Sequence, residues 1–273
     1  MRHFTLLLLS VFTVYQAKAD ILIPLDKYPT GEKRFNLQIN GSHDTSTPWL
    51  STTSFGVDED GQMGNPENWT SEQIDEDNHS VSHRLIMNSI SLRLSYRVWD
   101  NLSLWAGIGT TNFTHEETFR KNMIPIYSGG LGYGHAFTDR FFMSTQPGVR
   151  YANSDNMTTE VYYQGKTIPL RDLSLNRRYL EWAVPVVAGY ALGNFVPYAG
   201  ILYKDYTMKD RYEFTKTYAG EDYTVRIDET FHARHKLYAL AGVNYFLADN
   251  ISLGVNGSFG KRQSVQLQFN ISF

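Results

Sequence analysis

The 273 residues include no cysteine, which excludes disulfides, thiolate metal sites and a lipid anchor carried on a cysteine. After the first 20 residues there is no apolar run near the roughly 20 residues a helix needs to cross a bilayer. Helical periodicity is almost absent along the chain. No phosphate-cradling glycine loop, dinucleotide fingerprint or basic stripe occurs, so nucleotide chemistry and nucleic-acid binding have no foothold. Charge is modest, 25 Lys and Arg against 28 Asp and Glu. What the chain has instead is 14 % aromatic residues, 18 of them Tyr, together with 21 Gly, and apolar residues set mostly at every second place. That is the pattern of strands with one apolar and one polar face.

The first residues, MRHFTLLLLSVFTVYQAKAD, combine a basic start at Arg2, an apolar run from Phe4 to Tyr15 and the small-x-small triplet Ala17-Lys18-Ala19. This predicts a secretory signal peptide over 1–19. The stretch 20–33, with Pro24, Pro29 and Gly31, reads as a periplasmic lead-in, too short for a domain. Residues 34–273 are then one unit.

Within that unit tight turns alternate with long connections. The tight ones are Trp99-Asp100-Asn101, Thr138-Asp139-Arg140, Leu192-Gly193-Asn194 and Ala248-Asp249-Asn250, where Asp, Asn and Gly tolerate the backbone angles of a hairpin. Strands are expected over 34–42, 84–98, 102–112, 124–137, 141–152, 174–191, 195–208, 232–247, 251–260 and 264–273. On the second of these Ile90, Leu92, Leu94, Tyr96 and Val98 oppose Ser91, Arg93, Ser95 and Arg97. The alternating segments are longer than the five or six residues usual in a soluble sandwich. Tight and long connections fall at opposite ends, and Tyr96, Trp99, Phe137, Phe141, Trp182, Tyr190, Tyr245, Phe246 and Phe273 are expected near strand ends at the tight-turn side.

The last strand, SVQLQFNISF, alternates strictly and finishes on Phe273. With Phe269 and Ile271 it resembles the C-terminal signal by which bacterial outer-membrane β-barrels are recognised by their assembly machinery. The resemblance covers the mature chain as architecture and matches no particular member. It implies an all-β, transmembrane, antiparallel up-and-down barrel of about ten strands in the bacterial outer membrane, with short periplasmic turns and long extracellular loops. Closure requires the last strand to pair with RFNLQINGS, residues 34–42. Expected partners are outer-membrane lipid and lipopolysaccharide, the barrel-assembly machinery and an extracellular ligand.

Between Gly41 and Arg84 there is no Lys or Arg, while Asp44, Asp58, Glu59, Asp60, Glu67, Glu72, Asp75, Glu76 and Asp77 are acidic. The first outer loop therefore carries about −9. Clustered carboxylates are the hard oxygen ligands calcium favours, yet Asp58-Glu59-Asp60-Gly61 lacks the spacing of an EF-hand loop, and a solvated loop without metal is the expectation. EVYYQGKTIPL and RYEFTKTYAGEDYTVRI read as outer hairpins turning at Gln164-Gly165 and Ala219-Gly220. Arg93, Arg97, Arg150, Arg177, Glu181, Arg234 and Lys236 fall on the face assigned to the lumen, where charge avoids lipid. Glu181 is the main acid expected to neutralise the guanidinium groups and so to block wide permeation.

Two functional readings follow. One is a non-enzymatic barrel that presents loops for surface binding or forms a narrow pore. The other is an outer-membrane hydrolase, omptin-like or acting on lipid A, whose histidine would come from His43, His79, His83, His232 or His235. Acid-base chemistry needs a histidine within hydrogen-bond reach of a carboxylate, and these residues show only nearness along the chain, such as His43 beside Asp44. No convincing match to the Asp-x-His and paired-Asp arrangement of omptin-type proteases is found, the deacylase pattern occurs only in weak forms such as His79 next to Ser80, and no cofactor is implied.

Overall fold

Among the described residues this pattern builds sixteen strands and almost nothing else. The computed structural model describes residues 35–46, 48–58, 72–74, 85–115, 123–158, 161–163, 166–168, 171–218, 220–260 and 263–273. The signal peptide and lead-in expected over 1–33 lie outside the described residues. In chain order the strands are β1 (Phe35–Ser46), β2 (Pro48–Asp58), β3 (Glu72–Ile74), β4 (Leu85–Trp99), β5 (Leu102–His115), β6 (Ile124–Ala136), β7 (Phe141–Thr145) and β8 (Gly148–Thr158). They continue with β9 (Val161–Tyr163), β10 (Lys166–Ile168), β11 (Arg171–Tyr190), β12 (Phe195–Tyr218), β13 (Glu221–Ala233), β14 (Leu237–Ala248), β15 (Ile251–Phe259) and β16 (Gln263–Ser272).

Antiparallel pairing runs from β1 through β4, β5 and β6 to β7 with β8, then through β11, β12, β14, β15 and β16 back to β1. The sheet is therefore closed. β7 and β8 are one wall position, interrupted at Gln146-Pro147 because proline has no N–H for the ladder. The ring thus has the ten positions expected. The sheet as a whole has more strands than ten, because β12 continues past the top of β14. Its lower part, Phe195 to Tyr203, pairs with β14, and its upper part, Thr207 to Tyr218, pairs with β13. β13 in turn pairs with β2. At about 3.3 Å per residue, the 24 residues of β12 reach far above the 9–11 residues a membrane strand needs.

The seam is made by β1 and β16. Phe35 N donates to Phe273 O at 3.0 Å and Phe273 N to Phe35 O at 2.9 Å. Their rings stack at 6.0 Å, and Phe35 also meets Tyr96 at 4.9 Å. Phe273 thus covers the last rung of the closing pair. At the opposite edge of a hairpin, Thr138 Oγ1 accepts from Arg140 N and Phe141 N, which holds the tight turn expected there.

Sidedness follows the pattern of each strand. On β4, Ile90, Leu92 and Leu94 are 60, 44 and 47 % exposed, whereas Ser91, Arg93 and Ser95 between them are 7, 1 and 5 % exposed. Ile108, Leu131, Val149, Ile201, Leu253 and Val265 continue the exposed apolar surface around the ring. Wet, such a belt would be an aggregation surface. In lipid it is the required exterior, and the closed ladder leaves no unpaired edge there.

The interior is packed rather than empty. Asn40, Gln38, Gln266 and Gln268 on β1 and β16 line one side, and all are buried. Arg93 lies with its guanidinium carbon 3.9 Å from the centre of the Trp105 ring and donates to Gln146 Oε1 at 3.0 Å. Trp105 itself fills the space beside Gly148, where a Cβ would run into its ring. Gly148→Val should therefore expel Trp105 from over Arg93 and destabilise the barrel by about 1–3 kcal/mol, the usual range for overpacking. Guanidinium unfolding in vesicles would detect this as a lower midpoint, and an unchanged midpoint would mean the ring can move freely.

One strand boundary differs from expectation. His232 and Ala233 belong to β13, and β14 begins only at Leu237. Arg234 and Lys236, expected on the lumen face, lie exposed in the turn between these strands. Lys236 Nζ reaches Asp205 at 2.8 Å on the outer wall. The chain reverses there because Tyr238 O–H bonds the His235 carbonyl, so the expected long strand is two strands meeting at a turn.

Candidate functional site

The most concentrated chemistry among the described residues lies across the middle of the bore. Glu181 on β11 is in phase with Tyr179 and Val187, which point inward. Its Oε1 accepts from Arg150 NH1 on β8 at 3.0 Å, and its Oε2 lies 3.0 Å from Lys204 Nζ on β12. Tyr179 O–H also donates to Oε2. Lys204 then pairs with Asp44 of β1. In the ring β12 and β1 are separated by β14, β15 and β16, so this ion pair spans the bore instead of linking neighbours. Arg150 NH2 bonds Ser89 on β4 at 3.4 Å, and Ser89 bonds Ser42 on β1. Ser46 Oγ meets Tyr206 O–H at 3.3 Å just above. Two acids and two bases on four wall positions, with Ser89 on a fifth, thus form one bar.

Above the bar is an apolar plug. Leu85, Met87, Phe113, Ile124, Ile126, Met208 and Phe231 are packed together inside the barrel. Above that, Arg177 Nε and NH2 make a two-pronged pair with Asp210 Oδ1 and Oδ2 at 2.7 and 2.5 Å. Tyr212 O–H donates to the same carboxylate at 3.0 Å, and the guanidinium lies over Phe113 at 5.1 Å. Glu229 of β13 stands directly opposite Asp210 in register. The outward face of this upper region is polar, with Thr207, Lys209, Arg211 and Glu213 on β12, so it stands outside the membrane. Burial and the neighbouring Asp210 push the Glu229 carboxyl up to about 7.

The arginines singled out in the sequence are dispersed over this interior. Arg93, Arg150, Arg177 and Glu181 are all buried inside, and Arg97 is half-buried at the tight-turn end. Two corrections concern their acids. Glu181 is not the common counter-charge, because Arg177 uses Asp210. Asp44 does not belong to the acidic outer loop, because β1 extends to Ser46 and keeps Asn40, Ser42 and Asp44 on its inward phase. Asp58 ends β2, opposite Thr224. Glu59, Asp60, Asp75, Glu76 and Asp77 lie outside the described residues, as do His79 and His83.

The remaining rim histidines are placed away from the bore. His43 faces outward with Nδ1 2.9 Å from Asn88 Oδ1, while Asp44 faces inward. Adjacent strand residues point to opposite faces, so nearness in sequence separates them. His232 Nδ1 lies 3.2 Å from Thr207 Oγ1. Among the described residues no group of three or more His, Asp or Glu is arranged to hold a metal ion.

A closed antiparallel wall with an apolar exterior and a polar, packed interior is the architecture of an integral outer-membrane β-barrel. No family model matches the chain, and no curated protein matches it. Among solved structures, the β domain of the Bordetella autotransporter BrkA is similar at 8 % identity over 88 % of this chain and 100 % of its own, with TM-score 0.42. The translocator domain of autotransporter NalP from Neisseria meningitidis shows 7 % identity over 89 and 90 %, with TM-score 0.39. The outer-membrane protein OprG from Pseudomonas aeruginosa shows 12 % over 89 and 98 %, with TM-score 0.38. Likeness of this order does not assign a family.

Proposed function

We propose that this barrel does not conduct solutes of metabolite size and instead anchors a raised surface for extracellular binding, formed by the upper parts of β12, β13 and β2. One observation carries the reading: the bar from Asp44 through Lys204 and Glu181 to Arg150 crosses the bore, and its side chains are buried, as is Arg177 above. A passage would need this bar to be broken and the apolar plug to be displaced. The hydrolase alternative gains no support from His43 and Asp44, which stand on opposite sides of the wall. The exposure of Phe273 at the seam fits the proposed role of Phe269, Ile271 and Phe273 in recognition by the assembly machinery.

Liposomes carrying the protein should not swell in sugars of several hundred daltons; swelling at porin-like rates would overturn the sealed bore. Orientation has its own test, helped by the absence of native cysteine. In intact cells, a membrane-impermeant maleimide should label Glu221→Cys, at the β12–β13 turn, and spare Asp100→Cys, at a tight turn. The reverse labelling would place the raised end in the periplasm.

A further inference from the structure

Just above the apolar belt two cations share one spot on the outer wall. Arg178 on β11 and Lys209 on β12 are direct antiparallel partners. Both are exposed and in the outward phase of their strands, Arg178 with Leu180 and Trp182, Lys209 with Ile201. Cross-strand partners hold their Cβ atoms about 4.5–5.5 Å apart, and like charges so placed weaken a sheet. The nearby carboxylates are engaged elsewhere: Asp205 with Lys236 at 2.8 Å, and Asp228 with Arg211 at 2.7 Å and Arg226 at 3.0 Å. Asp155 lies on the outward face of β8, yet among the described residues neither Arg178 nor Lys209 makes an ion pair.

The surroundings suit an anion that comes with a lipid attached. Along the same rung stand Asn153 and Thr230, register partners of Arg178 and Lys209. Two residues lower the wall becomes apolar on β8 and β11 at Tyr151 and Leu180, while on β12 Thr207 and Asp205 intervene before Tyr203, which stacks on Trp182 at 4.9 Å. At about 3.3 Å per residue, Arg178 sits roughly 7 Å above Leu180, and Lys209 beside it stands above a polar stretch of β12, the setting of a headgroup layer over acyl chains. A phosphate monoester supplies two negative charges and several acceptor oxygens for the planar guanidinium fork and the neighbouring ammonium. Acyl chains joined to that phosphate would lie against Leu180, Trp182 and Ile201. We infer that Arg178 and Lys209 form a docking site for a phosphate group of an outer-leaflet glycolipid, held with its acyl chains on the belt below.

This inference rests on the orientation with β12 rising outward. The Glu221→Cys labelling tests that orientation without reference to lipid, so the two can fail separately.

The experiment uses the full barrel in detergent, with lipid adducts read by native mass spectrometry. The probes are a bisphosphorylated lipid A, its dephosphorylated form and inorganic phosphate. Wild type should retain the phosphorylated glycolipid, and Arg178→Gln/Lys209→Gln should bind it about ten- to a hundred-fold more weakly, as expected for losing charge-assisted hydrogen bonds. Lys236→Gln, which removes a cation already paired with Asp205, should leave retention unchanged. Unheated electrophoretic mobility confirms that each variant is a folded barrel. Equal retention by the double variant, or equal binding of the dephosphorylated lipid, would overturn the site. So would full displacement by millimolar inorganic phosphate, which would make it an anion site with no contribution from lipid.

Discussion

Glu181→Ala should destabilise the barrel by about 3–5 kcal/mol, the usual cost of leaving buried charges without their partner. Three groups lose an acceptor at once: Arg150 at 3.0 Å, Lys204 at 3.0 Å and the Tyr179 hydroxyl. Lys204 keeps Asp44 and Arg150 keeps Ser89, so the bar is damaged at its centre while its ends hold. Guanidinium unfolding in vesicles should show the loss, and planar-bilayer recording should show whatever leak results to favour anions, since two buried cations then face one carboxylate. Removing charge in matched amounts separates electrostatics from packing. Glu181→Gln/Arg150→Met, which takes out one acid with its paired base and leaves Lys204 on Asp44, should recover much of the stability. If the double variant is as unstable as Glu181→Ala, the bar matters for its shape and not for its charge balance.

The wall of this molecule was legible in its sequence to a degree that the bar was not. β4 and β15 alternate cleanly because one side meets lipid and the other meets polar side chains, so binary pattern and orientation coincide. On β12 that contrast disappears. Ile201 faces out and Leu202 faces in, and Val196, Tyr198, Tyr206 and Met208 are inward and apolar, so the strand is hydrophobic on both faces and Lys204 does not stand out as part of an interior set. Asp44 has a visible clue, since it keeps the parity of Asn40 and Ser42, but it groups with the acids that follow it when the strand is ended at Ser42, four residues short of Ser46. That Asp44 meets Lys204 depends on which side chains face each other across a tilted, closed wall, and no spacing along one chain encodes this. Arg178 and Lys209 were hidden for a different reason: each is an ordinary surface cation until register places them side by side.

Register also makes the last expectation. In β12 and β13, Asp210 and Glu229 are direct partners on the inward face, with Arg177 already bound through two hydrogen bonds to Asp210 and Tyr212 bonded to the same acid. One guanidinium therefore serves two carboxylates, and Glu229 takes the penalty, its carboxyl raised from 4.5 to about 7 by burial first and by Asp210 second. A carboxyl raised in the folded state contributes stability when protonated. That contribution is whole below pH 4.5, is lost as pH climbs towards 7, and is absent above it, a change of about 3 kcal/mol for this shift. Glu229→Gln stays neutral throughout, so it should slow amide hydrogen exchange in the β12–β13 hairpin at pH 8 and have little effect at pH 4. A gain that persists at pH 4 would trace to amide packing, and no gain at pH 8 would mean that the ionised Glu229 reaches solvent and escapes Asp210.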